Sequence, residues 1–454
     1  MDYDLVVVGG GAGGMAAARA AARLHRRVAL VQDGAVGGDC TFTGCVPSKT
    51  LIEAAAAGVD FAAAMLRVHE TVGRIAATET ADVLRGEGID VVQARARFTG
   101  PRVLDAGGRR LSAGKVVIAT GSSPMIPPIP GLADVSFLTN ETVWDLTQRP
   151  ASMAVLGGGA IGCELAQAFA RFGVHVTIVE AQDRLLGKEE PQASATVAAV
   201  FKREGIEVRL GAKVVGVARV SGGVRLMLDD GSLVEAERVL VAVGRRPVTD
   251  GLDVEAAGVR VDDRGYIRAD DFLRTSARGV YAVGDVNGKL PFTHAADEMG
   301  RLAAINALRA PLRLRFHAET TPWVTFTHPE VARVGMTQAQ AARHGGRVAF
   351  LPMSEVDRAI AADQTDGFVQ LIAGPRTLTR NLGGGRLLGA TIVAPRAGEM
   401  IHEVALAMRV GAFTGRLAQT VHAYPTWSTA IRSTAAQFFF DVGGRRATAA
   451  REQG

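Results

Sequence analysis

Two stretches of the chain share one order of hydrophobic and polar positions. Each contains a short apolar run, a glycine-rich turn, an alanine-rich helical repeat and a second apolar run, at residues 5–31 and 154–179. Uninterrupted apolar runs are typical of strands buried on both faces of a sheet. Strands that alternate with helices predict parallel sheets of the α/β class. From residue 322 the pattern changes to alternating strands and two helices, without a third copy of this motif.

The glycines of both turns follow the spacing G-x-G-x-x-G, which is the fingerprint of dinucleotide binding. The first glycine allows the turn, the second lets the backbone approach a pyrophosphate, and the third allows close packing of helix and strand. The positions are Gly9, Gly11 and Gly14 in the first turn and Gly157, Gly159 and Gly162 in the second. Two fingerprints predict two dinucleotides, a flavin held by the first and a nicotinamide held by the second.

The residue that ends the second strand of each motif is expected to hydrogen-bond a ribose. In the second motif this residue is Glu180, whose carboxylate would repel a 2′-phosphate and therefore favours NADH. Arg184 lies close enough in sequence to leave NADPH open. In the first motif Gln32 holds the position and Asp33 follows it, so that either side chain is a candidate for the ribose contact.

Residues 37–49 read Gly-Gly-Asp-Cys-Thr-Phe-Thr-Gly-Cys-Val-Pro-Ser-Lys and contain two of the three cysteines of the chain. The four residues between Cys40 and Cys45 allow the chain to loop back and bring the sulfurs to bonding distance. Pro47 is favoured in the first turn of a helix, so Cys45 is expected at the positive end of that helix. A thiolate is stabilised there, which lowers its pKa. A coincidental pair of buried cysteines in a glycine-rich loop is the alternative interpretation.

This stretch resembles the redox-active disulfide of the class I pyridine nucleotide-disulfide oxidoreductases, a family that includes lipoamide dehydrogenase, glutathione reductase and mercuric reductase. The resemblance extends from about residue 3 to about residue 440. It implies that Cys45 lies against a flavin and exchanges electrons with it, and that Cys40 attacks the substrate. It also implies that Lys49 pairs with Glu164 near the flavin.

The resemblance implies an α/β fold with two Rossmann-like dinucleotide-binding domains and a C-terminal α+β dimerisation domain. The expected boundaries are 1–148 and 263–320 for the two parts of the FAD-binding domain, 149–262 for the NAD(P)-binding domain and 321–454 for the dimerisation domain. Further cofactor contacts carried over from the family are Thr120, Gly121, Gly244, Asp285, His294 and Ala295. Asp285 is expected to hold the ribitol of FAD.

The chain departs from the disulfide-reducing members of the family near residue 424. Those members carry a His that protonates the leaving thiolate and a Glu five positions later that orients it, whereas Tyr424 and Thr429 stand here. Tyrosine titrates near pH ~10, so it is a poor base at neutral pH but can still donate a proton. Mercuric reductases also have Tyr at this position, and either Tyr424 or His422 is the candidate proton donor. Mercuric reductases carry a second cysteine pair near the C-terminus, and no cysteine follows Cys163 in this sequence.

Length and composition exclude several classes of protein for this chain. A chain of 454 residues is too long for one hydrophobic core. The formal net charge is +5, but the basic residues are scattered, so nucleic-acid binding is not expected. Charges interrupt the apolar runs, which argues against a membrane span, and three cysteines make no structural disulfide framework. The chain does not start like a signal peptide, and a cytoplasmic enzyme is expected.

The sequence therefore predicts a homodimeric, FAD-dependent NAD(P)H oxidoreductase of the mercuric reductase-like branch, with no metal site of its own. Hydride is expected to pass from the nicotinamide through the flavin to the Cys40–Cys45 disulfide and on to a small acceptor. A metal ion, a disulfide with a good leaving group and a quinone are the candidate acceptors. The alternatives are a quinone reductase or diaphorase that works directly from the flavin, a dihydrolipoamide dehydrogenase-like enzyme, and a redox sensor without turnover.

Overall fold

The computed structural model describes residues 1–309, 311–376, 378 and 380–452. The described α-helices are α1 (Ala12–Arg23), α2 (Gly38–Phe42), α3 (Cys45–Ala56), α4 (Phe61–Ala76), α5 (Ala81–Gly86), α6 (Ala160–Arg171), α7 (Pro191–Arg203), α8 (Thr293–Leu308), α9 (Gln338–Ala342), α10 (Asp357–Ala361), α11 (Ala397–Arg409), α12 (Thr414–Gln419) and α13 (Thr429–Ala436).

The strands within the same residues are β1 (Tyr3–Val8), β2 (Val28–Gln32), β3 (Ile89–Gln93), β4 (Ala96–Gly100), β5 (Val103–Ala106), β6 (Arg109–Ile118), β7 (Ser122–Pro124), β8 (Phe137–Leu138), β9 (Ser152–Leu156), β10 (His175–Glu180), β11 (Glu207–Leu210), β12 (Val214–Val220), β13 (Gly223–Leu228), β14 (Leu233–Ala236), β15 (Arg238–Val241), β16 (Arg245–Pro247), β17 (Val280–Ala282), β18 (Trp323–Thr325), β19 (Glu330–Gly335), β20 (Arg347–Pro352), β21 (Phe368–Gly374), β22 (Arg386–Ala394) and β23 (Thr448–Ala449).

The chain forms two compact units. Unit 1 comprises Met1–Pro127, Leu138–Arg149 and Val243–Ala318. Unit 2 comprises Pro128–Phe137, Pro150–Ala242 and Glu319–Gly454. No helix in the described part of the chain is long and apolar enough to cross a membrane.

A parallel sheet forms the centre of unit 1. Its order is β3-β2-β1-β6-β17, and β5 and β4 continue it as antiparallel strands beside the first half of β6. Helices α1 and α8 pack on one face with small side chains between them. The approach is so close that a Cβ at Gly300 would lie 2.0 Å from the carbonyl oxygen of Gly13. This packing holds α1, and therefore the glycine loop before it, against the strand ends.

Unit 2 contains a second parallel sheet, in the order β11-β10-β9-β15, with α6 following β9. Together with the sheet of unit 1, it confirms the predicted fold class. Helix α6 begins at Ala160, directly after its N-cap residue Gly159 at the end of the glycine turn.

The remainder of unit 2 is antiparallel. Strands β12-β13-β14 form a small sheet, and β18-β19-β22-β21-β20-β23 form a larger one. Strand β22 is buried from Leu387 to its end, because helices that include α11 and α13 pack on the sheet. Helix α11 is one of the helices predicted after residue 322, and it begins at Ala397. This sheet with its helices is the predicted α+β part of the fold.

A glutamate is buried in the interior of unit 2. Glu190 is 1% exposed, and its Oε1 accepts hydrogen bonds from the Gln338 N–H at 2.6 Å and from Gln370 Nε2 at 3.0 Å. Its Oε2 has no hydrogen-bond partner among the described residues. Burial raises the pKa of Glu190 above its ordinary value of 4.5, although Arg333 and the hydrogen bonds partly oppose this.

Replacing Glu190 with Gln is expected to change how stability depends on pH. The raised pKa of folded Glu190 means that its contribution to stability is complete below 4.5 and is lost as the pH rises through the folded value. Thermal unfolding of wild type and Glu190→Gln between pH 5 and 8 should therefore show the variant gaining relative stability as the pH rises. A constant difference in melting temperature across this range would contradict the prediction.

Candidate active site

The two glycine loops have nearly the same backbone geometry. In the first, Gly9 has φ +104°, and a Cβ at Gly14 would lie 1.8 Å from the Gly9 carbonyl oxygen. In the second, Gly157 has φ +106°, and a Cβ at Gly162 would lie 1.9 Å from the Gly157 carbonyl oxygen. A side chain at the third glycine of either loop would collide with backbone atoms. The helix would have to move to relieve that collision.

The middle glycines of the loops are open instead. A Cβ at Gly11 would meet its nearest neighbour, the Cα of Gly38, at 3.8 Å, and a Cβ at Gly159 would have no described heavy atom within 4 Å. Gly11 and Gly159 are the N-cap residues of α1 and α6. Backbone N–H groups at a helix start are suited to a pyrophosphate, and a bare backbone lets the phosphates approach. The residues present therefore fit the two dinucleotides that the sequence predicts.

A side chain from the second strand of each motif closes its glycine loop. Gln32 Oε1 accepts from the Gly10 N–H, and Glu180 Oε2 accepts from the Gly158 N–H, both at 2.6 Å. Gln32 Nε2 donates to the carbonyl oxygen of Asp33 at 2.9 Å, and Asp33 itself is exposed. Of the two ribose candidates in the first motif, Gln32 is the one that occupies the position of Glu180.

The two cysteines of the redox segment, residues 37–49, lie together at a helix start. Cys40 is in α2, and Cys45 is the first residue of α3. A hydrogen bond between the two thiols, followed by burial, raises the pKa of Cys40. Cys45 Sγ also lies 3.3 Å from Thr293 Oγ1 at the start of α8. Sequence reasoning missed Thr293, although it directly precedes the predicted His294.

Arg245 connects the redox segment to the end of β17. Its guanidinium pairs with the carboxylate of Asp39, the residue before Cys40, and its Nε donates to Ser122 Oγ at 2.7 Å. Ser122 Oγ in turn donates to Asp285 Oδ2 at 2.6 Å. The predicted ribitol residue Asp285 is thus tied to the segment that carries the cysteines. Sequence reasoning had no signal for this contact, because Arg245 and Asp39 are 206 positions apart.

Three further cofactor candidates lie at chain bends in unit 1. Thr120 Oγ1 donates to the Val248 carbonyl oxygen at 2.6 Å, and the Gly121 carbonyl oxygen accepts from the Val248 N–H at 3.0 Å. Gly121 and Gly244 have φ +72° and +152°, where glycine is strongly favoured. Their contacts with a cofactor stay predictions.

His294 and Ala295 belong to the first turn of α8. The ring of His294 stacks on that of Phe292 with centroids 5.8 Å apart. Ala295 is completely buried in the core of unit 1, so its methyl group packs against protein. Only the backbone of Ala295 is left for the predicted flavin contact.

Lys49 and Glu164 lie in different units. Lys49 Nζ donates to Ser48 Oγ at 3.3 Å. Glu164 is 6% exposed, and its Oε1 accepts from the Phe326 N–H at 2.8 Å. The ion pair between Lys49 and Glu164 stays a prediction.

The two candidate proton donors in unit 2 have carboxylate partners that sequence reasoning did not identify. Tyr424 is exposed, and its hydroxyl donates to Asp357 Oδ2 at 2.9 Å, which raises the pKa of Tyr424. The side chain of His422 is 7% exposed, with Nε2 3.0 Å from Glu403 Oε2 and Nδ1 3.0 Å from the carbonyl oxygen of Thr420. Both ring nitrogens of His422 are therefore engaged within the fold, whereas Tyr424 presents its hydroxyl at the surface.

The chain combines two glycine loops that fit dinucleotides with a cysteine pair at a helix start. These features are suited to electron transfer. This combination defines an oxidoreductase that couples nicotinamide chemistry to a dithiol. The chain belongs to the pyridine nucleotide-disulphide oxidoreductase family: residues 3–300 match the family model of that name, and residues 321–435 match the model of its dimerisation domain. The resemblance carried by the redox segment is thereby confirmed.

Similar proteins extend over nearly the whole chain. The mercuric reductase of Streptomyces lividans is 36% identical over 97% of this chain and 97% of its own length. The dihydrolipoyl dehydrogenase of Thermus scotoductus is 35% identical over 95% of this chain and 96% of its own. Among solved structures, the HOCl-induced flavoprotein disulfide reductase RclA from Escherichia coli is 30% identical with a TM-score of 0.87, covering 96% of this chain and 99% of that one. The chain is accordingly an oxidoreductase enzyme of this family.

Proposed function

We propose that the protein is a homodimeric, FAD-dependent enzyme that oxidises NADH and delivers the electrons through Cys40 and Cys45 to a soft metal cation, as its mercuric reductase relatives are named for doing. The observation that carries the proposal is the pairing of Cys40, in α2, with Cys45, the first residue of α3, in the unit that also holds the first glycine loop. FAD, when bound, would supply the link between two-electron hydride chemistry and a disulfide.

The residues of the chain have defined tasks in this scheme. Reduction adds two electrons and one proton to the Cys40–Cys45 disulfide. The sulfur–sulfur bond breaks, and the products are one thiolate and one thiol. Cys45 is the member held at the helix start, where its thiolate is stabilised, and the Thr293 hydroxyl at 3.3 Å can donate to it. Cys40 keeps the proton more readily, because its hydrogen bond with Cys45 and its burial raise its pKa. Cys40 is then the sulfur that meets the acceptor.

The surroundings of Tyr424 support a metal acceptor over a disulfide. Reduction of a disulfide releases a thiolate that needs a proton donor. The Tyr424 hydroxyl already donates to Asp357, which raises its pKa and makes it a weak acid for this task. A soft cation binds directly to thiolates and leaves no thiolate to protonate. A tyrosine suffices for such an acceptor.

The test compares NADH-driven reduction of mercuric chloride, without added thiol, by wild type, Cys45→Ser and Cys163→Ser, with FAD content and flavin reduction measured in each. Cys45→Ser is expected to keep flavin reduction by NADH and to lose Hg(II) reduction by about 100-fold or more. Cys163 is completely buried in α6, so Cys163→Ser is the matched control and should turn over normally.

Three outcomes would overturn the proposal. Hg(II) reduction that survives in Cys45→Ser would show that the cysteine pair is not on the electron path. Protein that binds no FAD, or a flavin that NADH does not reduce, would remove the proposed donor side. Dihydrolipoamide oxidation or quinone reduction far faster than Hg(II) reduction would assign the enzyme to one of those acceptors instead.

A further inference from the structure

A carboxylate from outside the redox segment is tied to the residue after Cys40. Glu79 lies in the turn between α4 and α5, and its Oε2 accepts from Thr41 Oγ1 at 2.9 Å. Thr41 is 3% exposed, so this hydrogen bond is made by a hydroxyl that water hardly reaches. Removing the bond would leave a buried donor without its acceptor, which is costly. Glu79 therefore helps to hold α2, and Cys40 with it, in place.

Two carboxylates are attached to the segment around Cys40, and they differ in whether a cation pairs with them. Asp39 pairs with Arg245, whose Nε also lies 3.8 Å from Asp285 Oδ2. Glu79 has no ion pair within 4 Å among the described residues. Arg19 interacts with its charge at longer range, but Arg19 already pairs with Glu87 at 2.8 Å. Among the described residues, Glu79 is thus a carboxylate attached to this segment that has no cation partner of its own.

The titration of Cys40 agrees with this arrangement. The hydrogen bond with Cys45 contributes most to the raised pKa of Cys40, burial comes next, and the charge of Glu79 acts in the same direction. The Thr293 hydroxyl opposes the rise. A carboxylate close enough to influence a thiolate also acts on a charged molecule that approaches the same sulfur.

We propose that Glu79 is a positioning and specificity-determining residue for Cys40: it fixes the redox segment through Thr41, and its negative charge favours cationic acceptors over anionic ones at the outer sulfur. The proposal rests on the proposed function in that Cys40 is the sulfur that meets the acceptor. Glu79 acts through its charge, because its Oε2 is already engaged by the Thr41 hydroxyl.

The test measures charge selectivity at Cys40 without any turnover. In a Cys45→Ser background the remaining thiols are Cys40 and Cys163, and Cys163 is completely buried, so Cys40 is the accessible one. The holoenzyme is treated with methanethiosulfonates that carry a trimethylammonium, a neutral or a sulfonate group. The Cys40 thiolate attacks the sulfenyl sulfur, a mixed disulfide forms and methanesulfinate leaves, which mass spectrometry follows. Rates are divided by those of a small reference thiol.

Glu79→Gln is expected to lower the cationic-to-anionic rate ratio roughly threefold or more at low salt, because the attraction of one partly buried charge is lost. Gln keeps an oxygen acceptor for Thr41, and Glu79→Asp keeps the charge and should keep most of the ratio. Asp82→Asn is the matched control, since its side chain is 89% exposed and pairs with Arg85. With the neutral probe, Glu79→Gln should also shift the pH profile of Cys40 to lower pH.

An unchanged ratio in Glu79→Gln, or an equal loss in Asp82→Asn, would overturn the proposal. The background protein alone provides a second check if a variant does not fold: its cation preference must exceed that of the reference thiol and must shrink in 0.5 M salt, an ionic strength at which the Debye length is only about 4 Å. Because no nicotinamide is involved, failure here leaves the proposed electron path untouched. Conversely, an enzyme that NADH does not reduce can still show the selectivity.

Discussion

Replacing Gly162 with Ala is expected to destabilise unit 2 by about 3 kcal/mol or more, because the new methyl group would meet backbone that cannot rotate away. The ideal Cβ lies 1.9 Å from the Gly157 carbonyl oxygen, far inside contact distance. Without this collision the substitution would stabilise the helix, since Ala exceeds Gly in helix propensity by about 1 kcal/mol. Urea unfolding followed by circular dichroism measures the shift in midpoint.

Gly159→Ala is the matched control, three residues earlier in the same loop. Gly159 has φ −75°, which any residue adopts, and no described heavy atom lies within 4 Å of its ideal Cβ. Its unfolding midpoint should stay near that of wild type, while its affinity for NADH falls because the methyl group occupies the space where a pyrophosphate would approach. Equal stability of the two variants would contradict the packing argument.

Replacing Arg333 with Met is expected to destabilise the protein by about 3–5 kcal/mol, since the change leaves a buried carboxylate without its cation. Arg333 and Glu189 are each only 8% exposed, with Arg333 Nε 2.8 Å from Glu189 Oε2. The guanidinium also donates to the Lys188 carbonyl oxygen at 2.9 Å and lies 4.3 Å from the ring centroid of Trp323. Urea unfolding monitored by tryptophan fluorescence gives the loss.

The double variant Arg333→Met, Glu189→Gln separates the charge from the shape of this site. Gln retains an oxygen that can accept from Trp323 Nε1, which now donates to Glu189 Oε1 at 2.8 Å. The buried charge is gone, so the double variant should recover much of the lost stability. Additive losses from the two changes would mean that packing of the Arg333 stem, and not its charge, matters most.

Local spacing was sufficient to predict much of the fold. Apolar runs before Gly9 and Gly157 predicted the two parallel sheets, because a strand buried on both faces needs continuous apolar residues and a following glycine turn. The placement of Cys45 at a helix start was also readable, since Pro47 fits only the first turn. These features depend on neighbours within a few residues of the chain.

The polar partners of the site could not be read in this way. Asp39 and Arg245 are 206 positions apart, Tyr424 and Asp357 are 67 apart, and neither pair belongs to a periodic pattern. Only the fold decides which of the many arginines and aspartates meet. His422 shows the same limit, because its position in the sequence suggests a base while Glu403 and Thr420 occupy both nitrogens.

The shared loop-closing contact of Gln32 and Glu180 has a consequence for redesign. The amide accepts from the Gly10 N–H and the carboxylate accepts from the equivalent Gly158 N–H, both at 2.6 Å, so the shape of the loop does not depend on the charge of the side chain that closes it. The shape of the loop and the charge of the side chain are therefore independent at this position. The chain contains both a neutral and a charged form of the contact. Since Glu180 is predicted to contact the nicotinamide ribose, Glu180→Gln, patterned on residue 32, is the substitution with which to test nicotinamide preference.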